Sequence, residues 1–209
     1  MLFDLDGTLI NSERRSMAMW AMLLRAHDVR HDDAILRGFM GRRGRDVLPE
    51  FFPGGDIEAL FDEVVSYGEH PDLPEVELVP GASSFVRQVV GHGSPVALVT
   101  SATRWWAESA LAQLDVAHLI STRITAEDVT EGKPHPGPFL LAAAALGVDP
   151  VECVVFEDSA AGIAAARAAG MSCVGVATTL DGGQLGDADL VVADLTEIEW
   201  PAGLDRILR

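Results

Sequence analysis

Two carboxylates stand two positions apart in FDLDGT, residues 3 to 8, as Asp4 and Asp6, with Gly7 directly behind them. In extended backbone a period of two turns both acids to one side, and a glycine lets the chain bend sharply afterwards. Adjacent like charges repel unless a cation lies between them. A hard divalent ion such as Mg²⁺ is the usual solution, and it can leave one carboxylate free to act as a nucleophile. Three other short stretches offer partners for such a pair. Thr100 and Ser101 bring hydroxyls and backbone N–H groups at an expected helix start, which suits phosphate oxygens. Lys133, in GKPHP, precedes a proline that fixes the backbone and can aim the ammonium inward. Glu157 and Asp158, in FEDS, close an otherwise apolar run, where acids want a metal. Taken singly, each piece reads as a turn, a cap or a helix start. Their order, each at the end of an apolar run, is what points to one site.

The elements that must position these residues are legible from hydrophobic pattern. Strands are expected in MLFDL (1 to 5), PVALVTS (95 to 101), CVVFED (153 to 158) and SCVGVAT (172 to 178), with LISTRIT (119 to 125) and DLVVAD (189 to 194) as a weaker pair. Helices are expected from 82, 104, 137 and 159, the last ending near Gly170. Strand and helix alternate, which predicts an α/β fold with a Rossmann-like parallel sheet whose ligands bind beyond the carboxyl ends of the strands. Residues 12 to about 75 break the rhythm and read as three or four helices with no convincing strand, and DLPEVELVPGAS (72 to 83) reads as the return linker. The expected division is therefore a core of residues 1–11 and 78–209 and an all-helical insert of 12–77. Met17, Trp20 and Met22 are expected in the core of that insert, and Trp105 and Trp106 cannot share one helix face.

Composition bounds the partners. The 209 residues carry a formal charge of −17, which repels nucleic acid and acidic membrane surfaces, so the positive partners of an anionic substrate must be local. Arg42, Arg43 and Arg45 cluster among glycines in GRRGRD, which reads either as a solvated surface turn or as a loop that brings one arginine to substrate, Arg45 being the candidate. Cys153 and Cys173, both in apolar runs, read as reduced core residues, and the longest apolar stretch, FLLAAAALGV at 139 to 148, is too short to span a bilayer. A monomeric cytoplasmic protein that binds neither membrane nor nucleic acid is the expectation.

In order and spacing, DLDGT, TS, KP and ED resemble the four motifs of the haloacid dehalogenase superfamily. ITAEDVTEGKPHPGPFL and VVFEDSAAGIAAARAAGMSCVGVATT are similar to its sugar- and polyol-phosphate phosphatase and β-phosphoglucomutase-like branch. The resemblance implies a Mg²⁺-dependent phosphatase acting on a small phosphorylated metabolite, with the helical insert as a mobile cap. By position it makes Asp4 the nucleophile, Asp6 the general acid and base, and Thr100, Ser101 and Lys133 the phosphate holders. Asp158 would bind Mg²⁺ with the Asp4 carboxylate and the Asp6 carbonyl, and Glu157 would assist. The β-phosphoglucomutases carry a histidine and a lysine near the places where this chain has Ser16 and Met40, which favours hydrolase over mutase. Asp6 argues against dehalogenase chemistry, which lacks the second acid.

Overall fold

The computed structural model describes residues 1–180 and 182–202. The chain enters through β1 (Leu2–Phe3), turns into β2 (Ile10–Asn11) and runs through four helices, α1 (Glu13–Ala26), α2 (Asp33–Arg37), α3 (Gly44–Phe51) and α4 (Ile57–Ser66). It returns through β3 (Glu77–Leu78) and then alternates: α5 (Ala82–Gly91), β4 (Ala97–Val99), α6 (Arg104–Gln113), β5 (Thr122–Ile124), α7 (Gly137–Leu146), β6 (Val154–Glu157), α8 (Ala160–Ala168), β7 (Ser172–Val176) and β8 (Leu190–Val192). Six of the strands form one parallel sheet in the order β5-β4-β1-β6-β7-β8. Every strand expected from the apolar runs is present.

The sheet is covered on both faces, which is why its central strands read as unbroken apolar runs. Successive residues alternate between the two layers. Phe3, Leu98, Phe156 and Val174 pack with Phe85, Val86 and Val89 of α5 and Ala107 and Leu111 of α6. Leu2, Ala97, Val99, Val155 and Cys173 face the other way, onto Phe139 and Ala143 of α7 and Ile163 and Ala166 of α8. Phe3 stacks on Phe156 at 5.0 Å between ring centroids, and Phe85 meets both rings edge-on. Both cysteines are buried free thiols.

β1 has two residues yet lies at the centre. Its ladder is carried past both ends by the Asp4 amide, which donates to the Phe156 carbonyl at 3.0 Å, and by the Ala97 amide, which donates to the Met1 carbonyl at 3.0 Å. Phe3 sits opposite Leu98 on one side and Phe156 on the other. The next residue along each chain is Asp4, Val99 and Glu157, so this register alone levels the first motif with the other strand ends.

The return linker is more ordered than its Pro and Gly punctuation suggests. Within it β3 pairs antiparallel with β2, Ile10 opposite Leu78 and Asn11 opposite Glu77, so a two-stranded ribbon stands at the root of the helical segment. Two residues per strand give too little alternation for a sequence pattern to register. The four helices bury their own small cores: Leu24, Phe39 and Val47 with Met17 and Trp20, and Leu23, Leu48, Leu60 and Val64 with Met19. Met22 joins neither. Its place on α1 is taken by Met19, three residues back and close to the same face as Leu23.

Candidate active site

Lys133 lies almost wholly buried at the carboxyl ends of the central strands. Its ammonium donates to Asp4 Oδ1 at 2.5 Å, to Glu157 Oε1 at 2.7 Å and to the Val99 carbonyl at 3.0 Å. An ammonium has three N–H donors, so all are used, and each goes to the end of a different strand. Burial pulls the ammonium's pKa down, but the Asp4 and Glu157 carboxylates more than offset this and hold it above its ordinary value. The peptide bond from Lys133 to Pro134 is cis.

Glu157 spends its second oxygen on the next helix. Oε2 accepts from the Ser159 amide at 2.7 Å and the Ser159 hydroxyl at 2.8 Å, and that hydroxyl caps α8 by accepting from the Gly162 amide. Asp158 differs. It is 1% exposed, and its Oδ2 has no hydrogen-bond partner among the described residues. Ligand atoms of Asp4, Glu157 and Asp158 all lie within 4.8 Å of one another. Burial first, then neighbouring carboxylates, push Asp158 well above the usual carboxylate range. Asp4 is pushed the same way by burial, against the pull of Lys133. A cluster of buried oxygens, one of them unpartnered and too few cations beside them, fits a hard divalent cation. Gly7 allows the approach: at φ +84° it lies so close that a Cβ would sit 1.9 Å from Asp158 Oδ2.

Asp6, three residues past the end of β1, faces a different set of groups. Its Oδ1 accepts from the Ser12 hydroxyl at 2.5 Å and from Trp106 Nε1 at 2.8 Å. Burial raises its pKa, with the Ser12 and Trp106 hydrogen bonds opposing. The two acids of the opening motif thus have different partners, Asp4 an ammonium and Asp6 neutral donors.

Thr100 and Ser101 lie in the loop after β4, but not at a helix start. The cap of α6 is Thr103, whose hydroxyl accepts from the Trp106 amide. Thr100 Oγ1 accepts from the Ala102 amide at 3.0 Å, while the Ser101 hydroxyl donates to the Gly41 carbonyl of the helical segment at 2.8 Å. Arg45 is not brought to the cluster. Its guanidinium is bound by Glu58 at 2.8 to 3.0 Å and lies 4.0 Å above the Phe61 ring. Arg42 pairs with Glu50. The third arginine does reach the core: Arg43 donates to the carbonyls of Ala126, Val129 and Thr130 and pairs with Asp46, which accepts from the Gly132 amide at 3.3 Å. His135 stays local, its Nδ1 accepting from the Gly137 amide.

Two residues at the site had no motif to announce them. Glu13, the first residue of α1, is 6% exposed, makes no side-chain hydrogen bond among the described residues and is pushed well above its ordinary pKa by burial and by Asp6, Asp4 and Glu157. In sequence it is indistinguishable from an acid in a helix's first turn. Trp106 looks like half of an apolar pair. Only the exposure of Trp105, at 73%, shows that helix phase turns its neighbour inward.

A family model for haloacid dehalogenase-like hydrolases matches residues 1–176. The chain belongs to that family. It is 44% identical over 203 residues to validoxylamine A 7'-phosphate phosphatase of Streptomyces hygroscopicus subsp. limoneus, covering 96% of this chain and 95% of that protein. It is 35% identical over 205 residues to hexitol phosphatase A of Escherichia coli, covering 94% and 91%. In fold it is similar to a β-phosphoglucomutase from Clostridium difficile, with a TM-score of 0.85 at 22% identity over 99% of this chain and 95% of that one.

Proposed function

We propose that this protein is a Mg²⁺-dependent phosphatase that hydrolyses a small phosphorylated sugar or polyol through an aspartyl phosphate on Asp4, in the cytoplasm. The observation that carries the reading is the Lys133 ammonium bonded to Asp4 while Asp158, alongside, keeps a buried oxygen unpartnered. Asp4, Asp158 and the Asp6 carbonyl would hold Mg²⁺, with Glu157 fixing Lys133 and the loop that carries Asp158. The ion, when bound, neutralises charge on the phosphoryl oxygens. Asp4 attacks phosphorus in line, Lys133, turning one of its three N–H donors away from a protein acceptor, and the Thr100–Ser101 loop take phosphate oxygens, and Asp6 protonates the leaving alkoxide and later takes a proton from water. By their names, the relatives described above act on validoxylamine A 7'-phosphate and on a hexitol phosphate, which supports the substrate class.

Residues 12–77 act in this reading as a cap over a core of 1–11 and 78–209; within that core, 181 and 203–209 lie outside the described residues. Hydrolysis is preferred over mutase chemistry because Met40, in the cap loop, is buried and offers no charged group, and Ser16 no imidazole. The test is turnover of p-nitrophenyl phosphate and of a panel of hexitol, fructose and glycerol phosphates, with and without Mg²⁺. Wild type should require the ion, and Asp4→Asn should lose several orders of magnitude in kcat. Asp4→Asn retaining activity would reject the assignment, and isomerised product in the presence of a sugar bisphosphate would favour a mutase.

A further inference from the structure

An indole N–H can only donate, so the Asp6 oxygen that Trp106 Nε1 faces at 2.8 Å is held as an acceptor. The Ser12 hydroxyl donates to that same Oδ1 at 2.5 Å, which fills both of its lone pairs. Nothing comparable restrains Oδ2: no described residue donates to it or accepts from it. The indole is itself held. Thr103 caps the first turn of α6 through the Trp106 amide, and Trp106 packs against the hydrophobic core on the α5 and α6 side of the sheet.

We propose that Trp106 is a positioning residue that fixes Asp6 so that Oδ2 alone exchanges the proton with substrate and water. The inference rests on the function proposed above and adds a chain-specific part to it. In the first step an Asp4 oxygen bonds to phosphorus as the ester P–O bond breaks; the bonding pair leaves with the ester oxygen, which takes the proton from Asp6 Oδ2. In the second, water oxygen bonds to phosphorus, the bond to Asp4 breaks and restores its carboxylate, and the water's proton goes to Asp6 Oδ2. Asp6 ends as it began. Without the indole only the rotatable Ser12 hydroxyl still holds Oδ1, so the carboxyl can turn about its bond to Cβ and its proton points less often at the ester oxygen.

The test separates leaving groups. An alkoxide cannot depart without a proton, whereas p-nitrophenolate can. Trp106→Phe should therefore slow single-turnover cleavage of the alkyl phosphate that wild type hydrolyses fastest by about tenfold, part of the range of about 10²- to 10⁴-fold ascribed to a general acid. Substrate affinity and the burst rate of p-nitrophenolate release should change less than about twofold. Equal losses on both substrates, or no loss on the alkyl ester, would overturn the inference. If Trp106→Phe does not fold, β-(3-benzothienyl)alanine at position 106 keeps the ring shape without the N–H and should give the same selective loss. A wild-type protein that cleaves neither substrate would reject the phosphatase reading itself and this inference with it.

Discussion

At the residue scale the site turns on one buried ammonium among several buried acids. Lys133 separates Asp4 from Glu157, which would otherwise face each other inside the protein with no counter-charge. Breaking a buried pair by removing one partner is strongly destabilising, because it leaves the other charge uncompensated. Lys133→Met should therefore lower stability by about 3 to 5 kcal/mol in metal-free buffer, besides removing the phosphate contact proposed above. Urea unfolding followed by circular dichroism measures it, and a variant within about 1 kcal/mol of wild type would show that the ammonium is not what holds these strand ends together. FDLDGT and GKPHP announced the residues but not this energetic dependence. The two lie 129 positions apart at Asp4 and Lys133, and only the sheet makes them neighbours.

At the scale of elements, one segment of the helical insertion grips three loops of the α/β part. The Gly41 carbonyl accepts from Ser101 after β4, and a Cβ on Gly41 would stand 2.0 Å from Ser159 Oγ after β6. Arg43 and Asp46, at the start of α3, bind the loop of 126 to 132 that leads into Lys133. The arginine cluster was legible as an unusual basic patch in an acidic chain. Which arginine would cross to the core was not: Arg42 lies in a bend, Arg43 is the extended N-cap of α3 and Arg45 sits in its first turn, and each finds a different acid nearby. Arg43→Ala removes the donors to three carbonyls and, if residues 12–77 move as the cap proposed above, should shift them away from these loops. The expected result is a KM for the sugar phosphate raised about tenfold, equivalent to about 1.4 kcal/mol, with a larger radius of gyration in solution scattering. An unchanged KM would mean that the segment closes without this contact.

At the scale of the whole molecule, a chain of net charge −17 folds around a cluster of buried carboxylates that repel one another in the metal-free state. A ligand that binds only the folded state stabilises it by mass action: Mg²⁺ at a hundredfold excess over its Kd should add about 2.7 kcal/mol, or roughly 5 to 11 °C in Tm for a domain of this size. Asp158→Asn should reverse both halves of this balance in a differential scanning measurement. The metal-free variant, relieved of one buried acid, should melt above metal-free wild type, and its Tm should not respond to Mg²⁺. A variant that melts lower and still responds would place the ion elsewhere. The sequence by itself determined the alternation of strand and helix, the helical insertion and the four chemical motifs, because each is a pattern within a few residues and apolar runs buried on both faces leave little choice of fold. The tertiary structure alone decided that Lys133 spans Asp4 and Glu157, that Asp158 keeps an oxygen with no hydrogen-bond partner among the described residues, that Glu13 and Trp106 join the site, and that Arg43 rather than Arg45 meets the core. Those are relations between side chains far apart in the chain. They are set by strand register and helix phase, which local residue patterns do not encode.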